Sequence, residues 1–311
     1  MAQPQDATPS DLRPGRTPAR AAALALAAAL LGATAVAQQP RETGPNLAAS
    51  SEATASETGL SPECRVPGAQ LYTIASLRAV KSALRGQRPL KVLAVGGSAA
   101  PGASASYPVK LEAALEQALP KVDVTIDHRG LPGEIASGAA ERLRTIVAEA
   151  EPDLVVWQVG THDAIARVDP EAFKAALDEA VAWLKSHRID VVLVDPLYTA
   201  SVAADVDYNR IVASVRMVAA HQRVPLVQRY EALRYLAGRG DKGAGKGTEG
   251  HMLGRQFRLN DLGLRCMAEH VALTVATSLV QTDPDGTDTP LPSKADPDPP
   301  PNLTAPQRAP G

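Results

Sequence analysis

The chain has 311 residues, of which 32 are Lys or Arg and 34 are Asp or Glu, for a formal net charge of −2 at pH 7. Charges of both signs are mixed along it, so the basic stripe that nucleic acid requires is missing and nucleic acid is excluded as a partner. Once the two ends are set aside, the length fits one domain with a single core.

Arg13, Arg16 and Arg20 precede an apolar run from Ala21 to Leu31, and Ala35-Val36-Ala37 then supplies a small-x-small pattern before Gln38. Residues 1–37 therefore read as a signal peptide. The apolar run is too short to span a bilayer, so no integral membrane segment is expected after its removal, and the mature protein is expected in the periplasm or outside the cell. Residues 38–63 are rich in Ser, Thr, Glu, Ala and Pro, a composition that cannot offset the entropy of ordering, and read as a disordered tether. Residues 282–311, dominated by Pro, Asp and Thr, read as a disordered tail. The domain is then expected over 64–281.

Within it, Leu90–Gly96 is an apolar, β-branched run ending in Gly-Gly-Ser, the pattern of a buried parallel strand that runs into a turn. Tyr107, Val109, Leu111, Leu115 and Leu119 mark an amphipathic helix over 104–119 that Pro120 closes. A strand over 122–127, a helix over 135–150, a strand over 154–159, a helix over 170–187 and a strand over 191–194 follow. A helix over 204–221, a short strand over 225–227 and a last helix over 261–280 complete the series. Strands separated by helical stretches of this length predict βαβ units: a three-layer α/β/α sandwich around a mostly parallel sheet of about five strands.

Cys64 and Cys266 stand at the two ends of this region, and an exported chain meets an oxidising compartment; a disulfide between them is expected over two separate buried thiols. The glycine-rich loop over 238–250 contains Gly240, Gly245 and Lys246 at near phosphate-loop spacing. Gly247 occupies the place of the magnesium-binding Ser or Thr, and no apolar strand runs into the loop, so nucleotide binding is not expected. Arg239-Gly240-Asp241 reads as loop composition. Trp157, Trp183, Phe173 and Phe257 are expected in the core or at its rim, and His187, His221 and His270 near helix ends or on helix surfaces. No His, Cys, Asp or Glu cluster has metal-ligand spacing, so neither a metal nor another cofactor is expected.

In an open α/β sheet, ligands bind beyond the carboxyl ends of the strands, which brings Ser98, residues 130–133 and residues 160–163 to one place. Ser98 alone reads equally as a cap or turn residue. It is accompanied by His128-Arg129-Gly130-Leu131-Pro132-Gly133 and by Trp157-Gln158-Val159-Gly160-Thr161-His162-Asp163. In order and spacing the three blocks resemble the first three of the SGNH/GDSL hydrolases. The resemblance runs from Leu90 to Ala276, and the stretch Leu259–Glu269 resembles the segment after that family's Asp-x-x-His.

The resemblance implies a flavodoxin-like SGNH fold in which Ser98 is the nucleophile. It also implies an oxyanion hole formed by the N–H groups of Ser98 and Gly133 and by the side chain of His162, where the family has asparagine. Two departures matter. Arg258 stands at the family histidine and Arg255 at the family aspartate, and a guanidinium cannot accept the serine proton. Gly97 stands where the motif has aspartate. Glu249-Gly250-His251-Met252 resembles a displaced version of the missing block, which makes His251 a candidate general base beside His162; a solvated loop histidine is the plainer reading of His251. Arg255, Arg258 and Asp163, the last in a complete Gly-Thr-x-Asp run, are candidate substrate-binding residues, the arginines suited to a carboxylate or sulfate.

The resemblance thus implies a serine-dependent ester hydrolase or acyl transferase with an atypical site, acting on a small-molecule or carbohydrate ester such as an O-acyl group of envelope carbohydrate. The alternative is a pseudoenzyme that keeps the fold and binds an anionic envelope glycan or a protein partner.

Overall fold

A run such as Leu90–Val95, buried at every position but Lys91, has no face for solvent, and in the computed structural model it lies inside a sheet covered by helices on both sides. The structure describes residues 59–97, 106–240, 252–253 and 258–282, all within one compact unit. The strands are β1 (Tyr72–Thr73), β2 (Leu90–Val95), β3 (Val124–His128), β4 (Leu154–Gln158), β5 (Asp190–Val194) and β6 (Leu226–Val227). They form a six-stranded sheet in the order β1-β6-β5-β4-β2-β3. Every pairing is parallel except that of β1 with β6.

The described helices are α1 (Gly68–Leu71), α2 (Arg78–Arg85), α3 (Tyr107–Ala118), α4 (Ala136–Ala150), α5 (Thr161–Ile165), α6 (Pro170–Ser186), α7 (Ala200–Ala203), α8 (Val206–Gln222), α9 (Arg229–Gly240) and α10 (Asp261–Ser278). Successive strand residues point to opposite faces, and the two faces have separate cores. Leu93, Val95, Val155, Trp157, Val191 and Leu193 pack against α4, α6 and α8. Val92, Ala94, Val156, Val192, Val194 and Val227 pack against α2, α3 and α10. This is the expected three-layer α/β/α sandwich.

The structure also corrects several expectations. The sheet has six strands rather than five, because the two-residue β1 adds antiparallel to β6 at the edge. The helix expected over 204–221 is α8, a single helix that starts two residues later because Asp205 accepts the N–H groups of Asp207 and Tyr208, and the short α7 precedes it as a separate turn. The expected loop over 238–250 is entered by α9, which runs to Gly240. The tether does not extend to residue 63, since Leu60 is buried, the Ser61 N–H and hydroxyl both donate to the Glu269 carboxylate, and Pro62–Cys64 forms a turn of 3₁₀ helix.

His270 is not on a helix surface. It is buried under that N-terminal segment, with Nε2 2.7 Å from the Cys64 carbonyl oxygen, and burial pushes its pKa down to about 4. His187 caps α6 and His221 pairs with Asp178 on the surface, as expected. Trp157 and Phe173 are core residues and Trp183 packs against the core. Cys64 and Cys266 form a disulfide. The expected signal peptide, the tether up to residue 58, the loop over 241–250, Phe257 and the tail from residue 283 lie outside the described residues. Among the described residues, no helix is long and apolar enough to cross a membrane.

Candidate active site

The strand order reverses between β2 and β4, with β3 beyond β2 on one side and β5 beyond β4 on the other. A crevice opens at such a point beyond the carboxyl ends of the strands. Here it is a cavity of about 280 Å³ walled by residues that follow β2, β3 and β4.

After β2 the chain turns through Gly96 and Gly97, with φ of 77° and 71°, a conformation that side chains disfavour. Space forbids a side chain as well. A Cβ at Gly96 would lie 2.1 Å from the Gln158 carbonyl oxygen, and one at Gly97 would lie 2.9 Å from Gln158 Oε1. The turn is closed from the β3 side by Gly130, whose added Cβ would lie 2.4 Å from the Gly97 carbonyl oxygen, and by the His128 ring, whose Nε2 is 3.3 Å from the Gly96 carbonyl oxygen. Burial lowers the His128 pKa, outweighing that backbone contact and the Asp127 charge. A neutral ring donating from Nε2 fits this position.

Gly133 also has a positive φ, 76°, with open space where a Cβ would be. The loop carrying it is held on both sides. Glu134 accepts two hydrogen bonds from Arg142, at 2.6 and 2.8 Å, and Asp163 accepts the N–H of Ala136, the first residue of α4, at 2.8 Å. Asp163 is buried, and desolvation raises its pKa against the backbone donors around it. Gly160, at φ 91°, lets the chain leave β4 and begin α5, and His162 follows within the first turn of that helix.

Of the residues singled out from sequence, Gly133, His162, Asp163 and Arg258 line this one cavity, together with Gly97, the residue before Ser98. The carboxylate of Asp163 accepts the Ala136 N–H and so holds the start of α4 at the cavity wall. Ser98, His251 and Arg255 lie outside the described residues.

Among the polar residues that line the cavity without a role expected from sequence are Tyr107, Gln158 and Arg229. Arg229 opens α9 and is only 6% exposed. Its Nε donates to the Asp195 carbonyl oxygen at 2.8 Å, Nη1 to Gln158 Oε1 at 3.1 Å and Nη2 to Thr161 Oγ1 at 3.3 Å. Gln158 in turn underlies Gly97, so the buried cation supports the turn that leads to Ser98. A charged residue two positions after the apolar β6 was the available signal. Among the described residues, no group of three or more His, Cys, Asp or Glu side chains is placed to hold a metal.

The model of the Non-GDSL lipase-like family matches residues 63–281. The chain belongs to the Non-GDSL lipase-like family. Gly97, in the place of the aspartate of a Gly-Asp-Ser-Leu motif, agrees with that description. No curated protein matches the chain in sequence. Among solved structures, a two-domain esterase (CEX) active on acetylated mannans matches with TM-score 0.54 and 17% identity over 76% of this chain and 60% of the other. The same esterase co-crystallized with mannopentaose matches with TM-score 0.54 and 16% identity, over 70% and 58%. A structure of TesA matches with TM-score 0.49 and 21% identity, over 60% and 99%. At these identities the two esterase structures show the fold: this Non-GDSL lipase-like chain has the α/β/α architecture of SGNH hydrolases.

Proposed function

We propose that the protein is an exported serine-dependent ester hydrolase or acyl transferase that removes or moves O-acyl groups of envelope carbohydrate, in the periplasm or outside the cell. Ser98 attacks the acyl carbonyl. The N–H groups of Ser98 and Gly133 and the ring of His162 hold the oxyanion, and His251 takes the serine proton and returns it to the leaving alcohol. One observation carries this reading: the Gly96-Gly97 turn, Gly133 and His162 meet at a single cavity at the switch point of the sheet. The mannan esterase that shares the fold supports the carbohydrate ester as substrate class.

The test is hydrolysis of short-chain p-nitrophenyl esters by the purified protein beside Ser98→Ala, His251→Ala and His162→Ala. Turnover that disappears with Ser98→Ala is expected, and the histidine whose loss also abolishes it is the base. Activity equal to that of Ser98→Ala on every acyl length would sink this reading.

A second reading is favoured by Arg258, which lines the cavity where SGNH hydrolases have histidine: a protein that binds an anionic envelope glycan without turning it over. Saturable glycan binding, weakened by Arg255→Ala and Arg258→Ala in a protein with no esterase activity, identifies that case.

A further inference from the structure

Two buried donors at the inner end of the cavity, Arg229 and Tyr107, are less well matched by the described residues than buried polar groups ordinarily are. Arg229 is buried, yet among the described residues its hydrogen-bond acceptors are all neutral: two oxygens from Gln158 and Thr161, the Asp195 carbonyl oxygen and the Met267 sulfur at 3.5 Å. A guanidinium has five N–H groups, so one on Nη2 has no acceptor among the described residues, and the sulfur is a weak acceptor that a better one displaces. The Tyr107 hydroxyl is buried close to the Gln158 side chain and the Arg229 charge, but no described residue forms a well-aligned hydrogen bond with it.

None of the nearby carboxylates of the described residues hydrogen-bonds Arg229, although the buried Asp195 carboxylate acts on it through its charge. Glu134 is paired with Arg142, Asp163 accepts the Ala136 N–H, and Asp195 accepts the Tyr230 N–H and faces Arg216 at 3.6 Å. A desolvated cation without a directly bonded carboxylate is costly, and an anion supplied by a ligand removes that cost.

We propose that this inner end is a carboxylate subsite and that the acyl group handled here is the half-ester of a short dicarboxylic acid. Its free carboxylate binds the Arg229 guanidinium and the Tyr107 hydroxyl. Two donor directions match the two oxygens of a carboxylate better than the three of a phosphate or sulfate. Leu259, Leu264 and Met267 supply an apolar wall for the methylenes between the carboxylate and the ester. The acyl assignment rests on the ester-hydrolase reading above; the subsite itself does not.

The experiment compares kcat/KM for monoethyl succinate, glutarate and adipate with ethyl butyrate, pentanoate and hexanoate, measured by released ethanol. At least one half-ester is expected to exceed its neutral match by about tenfold or more, the worth of one charge-assisted hydrogen bond. In Arg229→Met that ratio collapses towards parity, and in Tyr107→Phe, which keeps the ring and hence the packing, it falls several-fold. Neutral esters turned over as well as or better than every half-ester would overturn the subsite and leave the hydrolase intact. If neither class is hydrolysed, the hydrolase reading fails. The subsite is then decided by calorimetric titration with the three free dicarboxylates: binding that weakens in Tyr107→Phe supports it, and no binding of any of them overturns it.

Discussion

Gly130 has little room because its neighbours are backbone: an added Cβ would meet the carbonyl oxygens of Gly97 at 2.4 Å and Gly96 at 2.9 Å. Neither can rotate away as a side-chain tip would, so Gly130→Ala must displace either its own loop or the turn leading to Ser98. Overpacking of this kind costs about 1–3 kcal/mol of stability. Misplacement of a reacting group by about an ångström lowers rate by as much as a hundredfold. Gly130→Ala is therefore expected to lower Tm by a few degrees and ester kcat/KM by at least about tenfold, read from thermal unfolding and steady-state kinetics. Unchanged kinetics would mean that the turn is not held by this contact. The glycine pattern was legible in the sequence because each glycine answers a local demand for space or positive φ. Arg229 and Tyr107 were not, because their significance depends on which neighbours fail to pair with them, and pairing is a property of the folded chain.

The most sequence-distant pairing of elements joins the N-terminal segment to α10. The Cys64–Cys266 disulfide closes a separation of 202 residues there, and the His270 ring contacts the Cys64 carbonyl oxygen. Replacing both cysteines by serine is expected to reduce the free energy of urea unfolding by about 2–5 kcal/mol; equal midpoints for the variant and the reduced and oxidised protein would refute that. His270 gives the same junction a pH dependence. Its folded pKa of about 4 lies below the ordinary histidine value of about 6.5, so the unfolded chain takes up the proton first as pH falls. The stabilisation is complete above about pH 6.5 and is lost progressively towards pH 4, by about 3 kcal/mol. His270→Gln retains a side-chain donor without that titration, so it should lose less stability than the wild-type chain between pH 7 and pH 4 in urea titrations. Parallel losses would show that the histidine does not couple folding to acid. Long elements were read closely from sequence because their ends carry their own caps: Asp169 accepts the Ala172 N–H at the start of α6, and Asn260 accepts the Gly263 N–H at the start of α10. β1 and α9 were missed for the opposite reason. A two-residue strand exists only through its partner, and α9 runs into glycines that favour a loop.

At the scale of the whole molecule, two cores on either side of the sheet fix the cavity, while a third cluster carries the first described residues. Leu60, Cys64, Val66 and Leu71 meet Leu233, Leu236 and Cys266 in that cluster. The segment thus ties α9, whose first residue is Arg229, to α10, whose Leu264 and Met267 line the cavity. The family match starts at residue 63, but Leu60 and Ser61 ahead of it are already packed. A chain beginning at residue 67 would lose the buried side chains of Leu60 and Val66, the Ser61–Glu269 bonds and the disulfide. Burial of two aliphatic side chains at about 1.5–3 kcal/mol each, with the cross-link, puts this loss on the order of 6 kcal/mol. For a domain of this size that corresponds to a fall in Tm on the order of 15 °C relative to a chain beginning at residue 59. Because the segment braces α9 and α10, the shorter chain should also lose ester turnover at temperatures well below its own Tm. A truncation that keeps both Tm and turnover would show that the α/β/α layers hold the cavity without it.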